Sequence, residues 1–346
     1  MQAGRPGQGA GTGATIFGCA GLRLTRDEAA FFRDADPFGF ILFARNVEDP
    51  EQLTWLTTEL REAVGWDAPI FIDQEGGRVA RLRAPHWREW LPPLEQVAQN
   101  KKGAARAMQI RYRIIAEELR EVGIDGNCAP VADLAHPDTH EVLKNRCYGD
   151  DVVRVADVAA AAAMGLVEGG VLPVVKHIPG QGRAVIDSHE ALPRVTAKLR
   201  QLRVSDFLAF QTVAGLPLAM TAHVVYEAID PDNPATTSRA VNAVIRDTIG
   251  FGGLLLTDDI SMGALEGPVG ARAEAALAAG CDVILHCNAK RDEMEAVAAA
   301  AGRMSAEARI RAEDALTWRR APEPVDIEAL EEEFRGLMTG EAPRAV

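Results

Sequence analysis

The sequence has 346 residues, 47% hydrophobic and 25% charged, which is the composition of an ordinary globular protein with enough apolar residues for a large core. Its formal net charge of −13 disfavours binding to nucleic acid or anionic membranes, so an anionic small substrate would need a local cluster of arginine or lysine. No stretch approaches the about 20 apolar residues of a membrane span, and residues 1–13 lack the apolar segment of a secretory signal. We therefore expect a cytoplasmic monomer with a flexible N-terminal tail at residues 1–13.

Short apolar runs alternate with helical patterns along the rest of the chain. Thr25 and Glu28 have the spacing of a capping box, and Ser238 is a candidate N-cap. The predicted strands cover residues 14–20, 39–43, 68–72, 123–129, 171–175, 216–221, 252–256 and 281–285. The predicted helices cover residues 25–36, 50–64, 103–122, 152–168, 204–214, 238–249, 269–279 and most of 292–337, with a break at Pro322 and Pro324. Residues 86–93 and 135–150 lack periodicity and are predicted as loops.

This alternation predicts an α/β fold, a single-domain (β/α)8 TIM-type barrel over residues 14–340 with extra C-terminal helices. Strands that alternate with helices at this spacing are typical of a parallel sheet, and eight repeats suit a closed barrel. An open doubly wound sheet is the alternative. It would need a glycine-rich nucleotide turn, and neither GxGxxG nor GxxxxGK[ST] follows any of the predicted strands.

Polar residues recur directly after the predicted strands, where a barrel builds its active site. Two carboxylates that flank a bond are the usual glycosidase arrangement, and Asp258 with Asp259 supplies a candidate nucleophile. Asp187 and His189 lie two positions apart in an extended segment, so Asp187 could orient His189 as a general acid and base. The side chains expected to converge are Arg45, Asp73, Glu75, Arg78, Arg81, Asp133, Arg146, Lys176, His177, Asp187, His189, His223, Asp258 and Asp259.

Two other chemistries fit part of this residue set. Its three histidines and the Asp258–Asp259 pair could ligate a metal, but the sequence has neither HExxH nor HxH, and the nearby basic residues oppose a cation. Lys176 at a strand end could form a Schiff base, as in aldolases. We expect neither a metal nor a cofactor. The five cysteines include no CxxC pair and are expected to be reduced thiols.

Six segments of the chain resemble family 3 glycoside hydrolases, and within them the NagZ-type β-N-acetylhexosaminidases. The segments are GFILFARN (39–46), IDQEGGRVARL (72–82), NRCYGDD (145–151), VKHIPGQG…DSH (175–189), MTAHVVY (220–226) and LLTDDISMGAL (255–265). They follow the family order and are specific together, whereas DSH or TDD alone would mean little. The family fold is a (β/α)8 barrel, and this chain resembles its short, single-domain members.

The resemblance implies a role for each matching polar residue. Asp258 would be the nucleophile that forms a covalent glycosyl–enzyme intermediate, and His189 would be the acid/base, supported by Asp187. Arginines of the matching segments would give this acidic protein the local positive charge that an anionic muropeptide needs. The residues implied to bind the N-acetylglucosamine unit are Asp73, Arg81, Arg146, Lys176 and His177.

Other residues of the set are expected to be structural. Glu75 is expected to bond the loop amides that follow it, His223 to be packed and satisfied, and Asp259 to support its loop or Lys176. The loop after Lys176 departs from the family pattern KHFPGHG at Ile178 and at Gln181, which cannot titrate near neutral pH. Residues 180–182 are expected to form a joint that lets the acid/base dyad move.

The sequence thus predicts a retaining exo-β-N-acetylglucosaminidase (a β-N-acetylhexosaminidase) that acts on 1,6-anhydro-muropeptides in peptidoglycan recycling. Two alternatives lie within enzymes. One is phosphorolysis of the same bond, since a histidine acid/base repels phosphate less than glutamate would, and the other is a β-glycosidase of different sugar specificity. A catalytically inactive sugar-binding or sensor protein is the alternative from another class, and the intact Asp187, His189 and Asp258 argue against it.

Overall fold

Eight parallel strands form the centre of the computed structural model, which describes residues 12–188 and 190–340. Three further strands lie outside the barrel, and the eleven strands of the described residues are β1 (Gly13–Gly18), β2 (Pro37–Leu42), β3 (Ile70–Ile72), β4 (Gly126–Asn127), β5 (Leu172–Ile178), β6 (Arg194–Val195), β7 (Leu218–Thr221), β8 (Val225–Tyr226), β9 (Asp230–Pro234), β10 (Leu254–Leu256) and β11 (Ile284–His286). The barrel strands pair in the order β10-β7-β5-β4-β3-β2-β1-β11, and a parallel bridge between Leu256 and Val283 closes the ring. The predicted (β/α)8 barrel is therefore confirmed.

Helices surround the barrel, and local sequence signals account for several of their ends. The helices are α1 (Arg26–Ala35), α2 (Pro50–Val64), α3 (Pro93–Gln99), α4 (Ala104–Glu121), α5 (Glu141–Lys144), α6 (Val152–Glu168), α7 (Leu199–Val204), α8 (Asp206–Thr212), α9 (Arg239–Ala243), α10 (Val269–Ala279), α11 (Arg291–Ala301), α12 (Ala306–Leu316) and α13 (Ile327–Thr339). The capping box of α1 is confirmed, since the Thr25 hydroxyl accepts from the Glu28 amide at 3.2 Å and the Glu28 carboxylate accepts from the Thr25 amide at 3.1 Å. The predicted bounds of α2 and α6 are also confirmed.

The structure corrects the sequence prediction at residues 199–212. One helix was expected over 204–214, but α7 and α8 are separate and meet at Ser205, whose φ of −132° and ψ of −89° are not helical. The Ser205 hydroxyl oxygen lies 2.8 Å from the Gln201 carbonyl oxygen and 2.7 Å from a carboxylate oxygen of Asp206, and its one proton is shared between these acceptors. Asp206 in turn accepts from Arg183 at 2.8 Å. These bonds tie the break to the loop after β5.

Residues 238–249 form a helix in two parts. Ser238 caps α9 as predicted, with its hydroxyl accepting from the Val241 amide at 3.1 Å. The following turn, Val244–Ile249, is a π-helix that ends at Gly250 with φ 83°. A small sheet of β6, β8 and β9 was not predicted, and it lies apart from the barrel ladders. The helix break expected at Pro322 and Pro324 is confirmed, because they lie between α12 and α13.

Apolar strand interiors and polar strand ends together position the site. The side chains of β3 and β10 are all buried, and β5 begins with apolar residues and ends with Lys176, His177 and Ile178. The peptide bond between Lys176 and His177 is cis. Gly13 already belongs to β1, and residues 1–11 of the expected tail lie outside the described residues. Within residues 12–188 and 190–340, no helix is long and apolar enough to cross a membrane.

Candidate active site

A cavity of about 140 Å³ lies at the carboxyl ends of the barrel strands. Its walls come from the loops after β2, β3 and β4, from the end of β5 and the loop behind it, and from the loops after β10 and β11. Six predicted site residues line it, namely Asp73, Arg81, Arg146, Lys176, His177 and Asp258. The barrel therefore brings together residues that are far apart in the sequence, as the carboxyl ends of parallel strands do.

Two carboxylates and three cations form what we call the ion-pair cluster: Asp73, Glu75, Arg81, Arg146 and Lys176. Lys176 Nζ lies 2.8 Å from Oδ1 of Asp73 and 2.7 Å from Oε1 of Glu75. Arg146 donates to both oxygens of Glu75, at 2.9 and 2.8 Å. Arg81 donates to Asp73 at 3.2 Å. Each cation thus has a carboxylate partner, which buried charges require.

Electrostatics keep the carboxylates and the lysine of this cluster charged. Burial alone would raise the pKa of Glu75, but Arg146 and Lys176 outweigh it and lower that pKa to about 2. Burial also opposes ionisation of Asp73, yet Lys176 and Arg81 hold its pKa well below the usual range. Burial would lower the pKa of Lys176, but the two carboxylates raise it above its ordinary value. Lys176 is therefore a protonated donor, which disfavours the Schiff-base alternative.

The expectation for Glu75 is wrong. Its fully buried carboxylate holds two cations of the cluster, whereas the amides of Gly76 and Gly77 donate to backbone carbonyls. Glu75 and Arg146 are 71 positions apart, so no local pattern could have paired them. The signals in the sequence were that Glu75 follows an apolar strand and that both residues lie in segments resembling the family.

Asp133 connects the wall of the cavity to the loop after β5. Its Oδ2 accepts from Nδ1 of His177 at 2.7 Å, and its Oδ1 accepts from the Gln181 amide at 2.6 Å. Nε2 of His177 lies 3.4 Å from Nη2 of Arg146 and 4.0 Å from Oδ2 of Asp258. One buried carboxylate therefore fixes both the imidazole ring and the start of the loop.

Asp258 follows β10 and presents a carboxylate at the cavity. Its Oδ1 accepts from the amide of Asp259 at 2.8 Å. Burial would raise the pKa of Asp258, but His177 and His223, with help from that amide, lower it. An ionised carboxylate beside hydrogen-bond donors is what a nucleophile for an acetal carbon requires.

Two neighbours of Asp258 have the structural roles expected of them. The Asp259 carboxylate accepts from the amide and hydroxyl of Ser261, at 3.1 and 2.8 Å, and from the Cys287 amide at 3.2 Å. Support of its own loop is therefore confirmed. His223 is fully buried, with Nδ1 2.7 Å from the Thr236 hydroxyl and Nε2 3.0 Å from the Asp259 carbonyl. The prediction of a packed, satisfied histidine is also confirmed.

Hydrogen bonds hold residues 180–182, where the sequence predicts a joint, and the movement expected there stays a prediction. The Tyr226 hydroxyl donates to the Gly180 carbonyl, and the Thr139 hydroxyl donates to the Gly182 carbonyl. A Cβ on Gly182 would lie only 1.8 Å from a neighbouring carbonyl oxygen, so the backbone at this position is packed too closely for any side chain. The exposed part of the loop begins at Val185, and β6 ties its far end to β8.

The acid/base dyad is only partly described. Asp187 is half-buried, whereas His189 lies outside the described residues, so the dyad stays a prediction. Ser188, between them, is buried and lines the cavity. Its hydroxyl accepts from Nε2 of Gln181 at 2.9 Å. Ser188 therefore reaches the cavity and is bonded to the base of the loop through Gln181.

Other residues complete the picture of the strand ends. Arg45 is exposed and donates to the carbonyls of Cys19 and Cys287, at 3.0 and 2.5 Å, so it ties three loops together. Arg78 is also exposed. Phe43, which lines the cavity beneath Arg45 and Arg81, was not singled out in the sequence. Its position at the end of the predicted strand 39–43 was the available signal.

Comparisons with known proteins point to one family. A family model described as "Glycosyl hydrolase family 3 N terminal domain" matches residues 18–315. The β-hexosaminidase of Pseudomonas aeruginosa is 36% identical over 290 residues, which are 83% of this chain and 86% of that protein. The β-hexosaminidase of Alkalilimnicola ehrlichii is 37% identical over 283 residues, 80% of this chain and 81% of that protein.

A solved structure agrees with these similarities along the whole chain. NagZ from Neisseria gonorrhoeae, in complex with N-trifluoroacetyl-D-glucosamine, is 30% identical to this chain with a TM-score of 0.81. The match covers 96% of this chain and 97% of that one. A glycoside hydrolase family 3 β-N-acetylglucosaminidase from Paenibacillus sp. str. FPU-7 matches with a TM-score of 0.82 at 30% identity, over 94% of this chain and 67% of that one.

Proposed function

The chain belongs to glycosyl hydrolase family 3, and on that premise we propose that it is a retaining exo-β-N-acetylglucosaminidase. The similar proteins carry the names β-hexosaminidase and β-N-acetylglucosaminidase, and the similar NagZ binds an N-acylated glucosamine. The observation that carries the proposal is the position of the Asp258 carboxylate, which lines the cavity with Asp73, Arg146 and Lys176 and lies 4.0 Å from Nε2 of His177.

The proposed reaction has two displacements at the anomeric carbon. In the first, an oxygen of Asp258 bonds to C1 as the C1–oxygen bond to the aglycone breaks, and His189, oriented by Asp187, gives its proton to the leaving oxygen. In the second, His189 takes a proton from water, the water oxygen bonds to C1, and the bond to Asp258 breaks. The product is N-acetylglucosamine with retained configuration.

In this proposal the ion-pair cluster and His177 bind the glycone. Asp73 is the acceptor for sugar hydroxyls, while Lys176, Arg146 and His177 are donors. All four line the cavity. Holding the sugar against Asp258 in this way lowers the barrier by orientation.

The finer parts of the proposal concern the substrate and its setting. We propose 1,6-anhydro-muropeptides as substrates, cleaved in the cytoplasm by a monomer whose residues 14–340 form the catalytic domain. Support comes from the similarity to NagZ over 96% of this chain. Arg81 and Arg146 line the cavity, but Asp73 and Glu75 pair with them, so they add no net positive charge.

Asp258→Ala tests the nucleophile. With p-nitrophenyl N-acetyl-β-D-glucosaminide as substrate, turnover should fall by about 10⁴-fold or more. Azide should restore part of the rate to this variant and give the α-glycosyl azide, because the small anion takes the vacated place of the carboxylate. Asp259→Asn is the matched control and should give no α-glycosyl azide, because Asp258 still occupies that face of the sugar. Near-normal turnover by Asp258→Ala, or inverted product from the wild type, would contradict the proposal.

Phosphate separates hydrolysis from phosphorolysis. Hydrolysis predicts the same wild-type rate with and without phosphate, and free N-acetylglucosamine as the product. If the sugar 1-phosphate forms instead, phosphate and not water is the acceptor in the second step, and the enzyme is a phosphorylase.

A further inference from the structure

Arg111 is a fully buried arginine on α4 whose charge has no carboxylate partner. Its side chain is completely shielded from solvent. Within residues 12–188 and 190–340, no carboxylate oxygen lies within the 4.0 Å limit of an ion pair with it. Burying an unpaired guanidinium is costly, so a buried arginine with only neutral partners needs an explanation.

The partners of Arg111 lie at the two ends of one loop, residues 73–92 between β3 and α3. The guanidinium donates to the carbonyl of Glu75 at the beginning of this loop and to the carbonyl of Leu91 at its end, the latter at 3.0 Å. It also donates to the Gln96 side chain at 2.6 Å. A Cβ on Gly76, which has φ +100°, would lie 1.8 Å from Arg111 Nη2. The loop backbone thus approaches the guanidinium as closely as only glycine allows.

The same loop carries the carboxylate at the centre of the ion-pair cluster. The Glu75 peptide carbonyl is held by Arg111, and the Glu75 side chain holds Arg146 through two hydrogen bonds and Lys176 through a third. A rotation of that peptide would move the carboxylate and with it both cations. The position of the donors in the cavity therefore depends on a residue outside it.

We propose that Arg111 is a positioning residue for glycone binding, acting through Glu75 on Arg146 and Lys176. This inference rests on the proposed function only in naming N-acetylglucosamine as the ligand. Arginine suits the role because its planar fork can donate to several acceptors in fixed directions, whereas lysine offers a single ammonium group.

The chain offers a matched control two positions further along α4. Arg113 is also buried, and it donates to Glu117 at 2.9 Å and to the carbonyl of Glu323 at 2.9 Å. Its partners belong to α4 itself and to the segment before α13. Arg113→Met therefore removes a buried guanidinium from the same helix without touching the loop at residues 73–92.

The test compares Arg111→Met, Arg111→Lys and Arg113→Met with the wild type. Calorimetry gives the Kd of N-acetylglucosamine and steady-state kinetics give kcat and KM, at a temperature where near-ultraviolet circular dichroism shows every variant folded. Arg111→Met should raise the Kd and KM at least about tenfold and lower kcat/KM by about 100-fold, as misplacement by about 1 Å does. The Kd, KM and kcat/KM of Arg111→Lys should lie between those of Arg111→Met and the wild type. Arg113→Met should keep Kd and kcat/KM within about twofold, whatever its melting temperature.

Two results would overturn the inference. One is a wild-type Kd and KM in Arg111→Met, and the other is an equal rise in Arg113→Met, which would indicate a general effect of removing buried arginines from α4. If Arg111→Met does not fold, Arg111→Lys carries the test, and an unchanged Kd in that variant overturns the inference. A wild type that binds N-acetylglucosamine without turnover would refute the proposed function and leave the Kd comparison intact.

Discussion

Replacing Glu75 with glutamine removes the negative charge at the centre of the ion-pair cluster while keeping the size of the side chain. Lys176 would keep Asp73 at 2.8 Å, but Arg146 would lose its charged partner and at least one of its two hydrogen bonds, because glutamine has a single acceptor oxygen. The side chain of Arg146 is only 12% exposed, so water cannot fully replace that partner. Breaking a buried ion pair from one side costs about 3–5 kcal/mol of folding free energy.

The pKa of Glu75 gives a second route to the same magnitude. Its ordinary value of 4.5 falls to about 2 in the folded protein. At neutral pH that difference corresponds to a stabilisation of about 3 kcal/mol, because each tenfold change in an equilibrium is worth about 1.4 kcal/mol. Since the folded pKa is the lower one, the stabilisation is complete above about pH 4.5 and is lost as the pH falls towards 2.

Thermal and urea unfolding of Glu75→Gln measure this loss. The free energy of unfolding at pH 7 should fall by about 3 kcal/mol, and the melting temperature by about 6 °C at about 2 °C per kcal/mol. The loss of stability of the wild type between pH 4.5 and 2 should be steeper than that of the variant. Glu59→Gln is the matched control, because its partner Arg23 has a side chain that is 61% exposed and such a surface pair is worth at most about 1 kcal/mol. Equal melting temperatures for Glu75→Gln and wild type, or parallel acid profiles, would refute the reasoning.

Two further substitutions address the loop after β5. Asp133→Asn cannot accept from both His177 and the Gln181 amide, so kcat/KM should fall by at least about 100-fold in steady-state assays, as when an orienting carboxylate is lost from a histidine; wild-type kinetics would show that this carboxylate does not orient the ring. Gly182→Ala places a Cβ 1.8 Å from a carbonyl oxygen and should lower the free energy of unfolding by about 1–3 kcal/mol. As a control, the free energy of unfolding of Gly252→Ala, whose Cβ meets nothing within 4 Å, should stay within about 0.5 kcal/mol of the wild type in the same urea titration. An unchanged free energy of unfolding in Gly182→Ala would mean that the base of the loop shifts to accommodate the methyl group.

The fold was predictable where local signals coincide with the elements. Helix α2 has its predicted bounds because Asp49 caps its start, with its side chain accepting from the Gln52 amide at 2.8 Å, and Gly65 ends it with φ 73°. The small sheet was not predictable in this way. Strands β6 and β8 have two residues each, too few for a period of two to be recognised, and they exist because distant segments pair.

The sequence predicted which residues gather at the cavity, but not which of them contact one another. Strand ends converge in a barrel, so Asp73, Lys176 and Asp258 could be placed at one face before the structure was known. Which carboxylate meets which cation depends on side-chain directions across the barrel, and this is why the role of Glu75 was missed. The close packing at Gly182 was not predictable, because a glycine in a sequence indicates flexibility as readily as close packing and only the contacts reveal the packing.

The charged groups of the cavity are already bound to one another before any sugar arrives. A hydroxyl that approaches Asp73 must share an oxygen with Lys176 or Arg81. Sugar binding is therefore an exchange of partners, in which each new hydrogen bond weakens an existing one and the net gain is small. A sugar that lacks one hydroxyl leaves no charged group of the protein without a partner, because that group keeps its existing ion pair. We therefore expect discrimination among sugars to rest on shape, that is, on how a sugar fits against apolar lining residues such as Met220 and Met262.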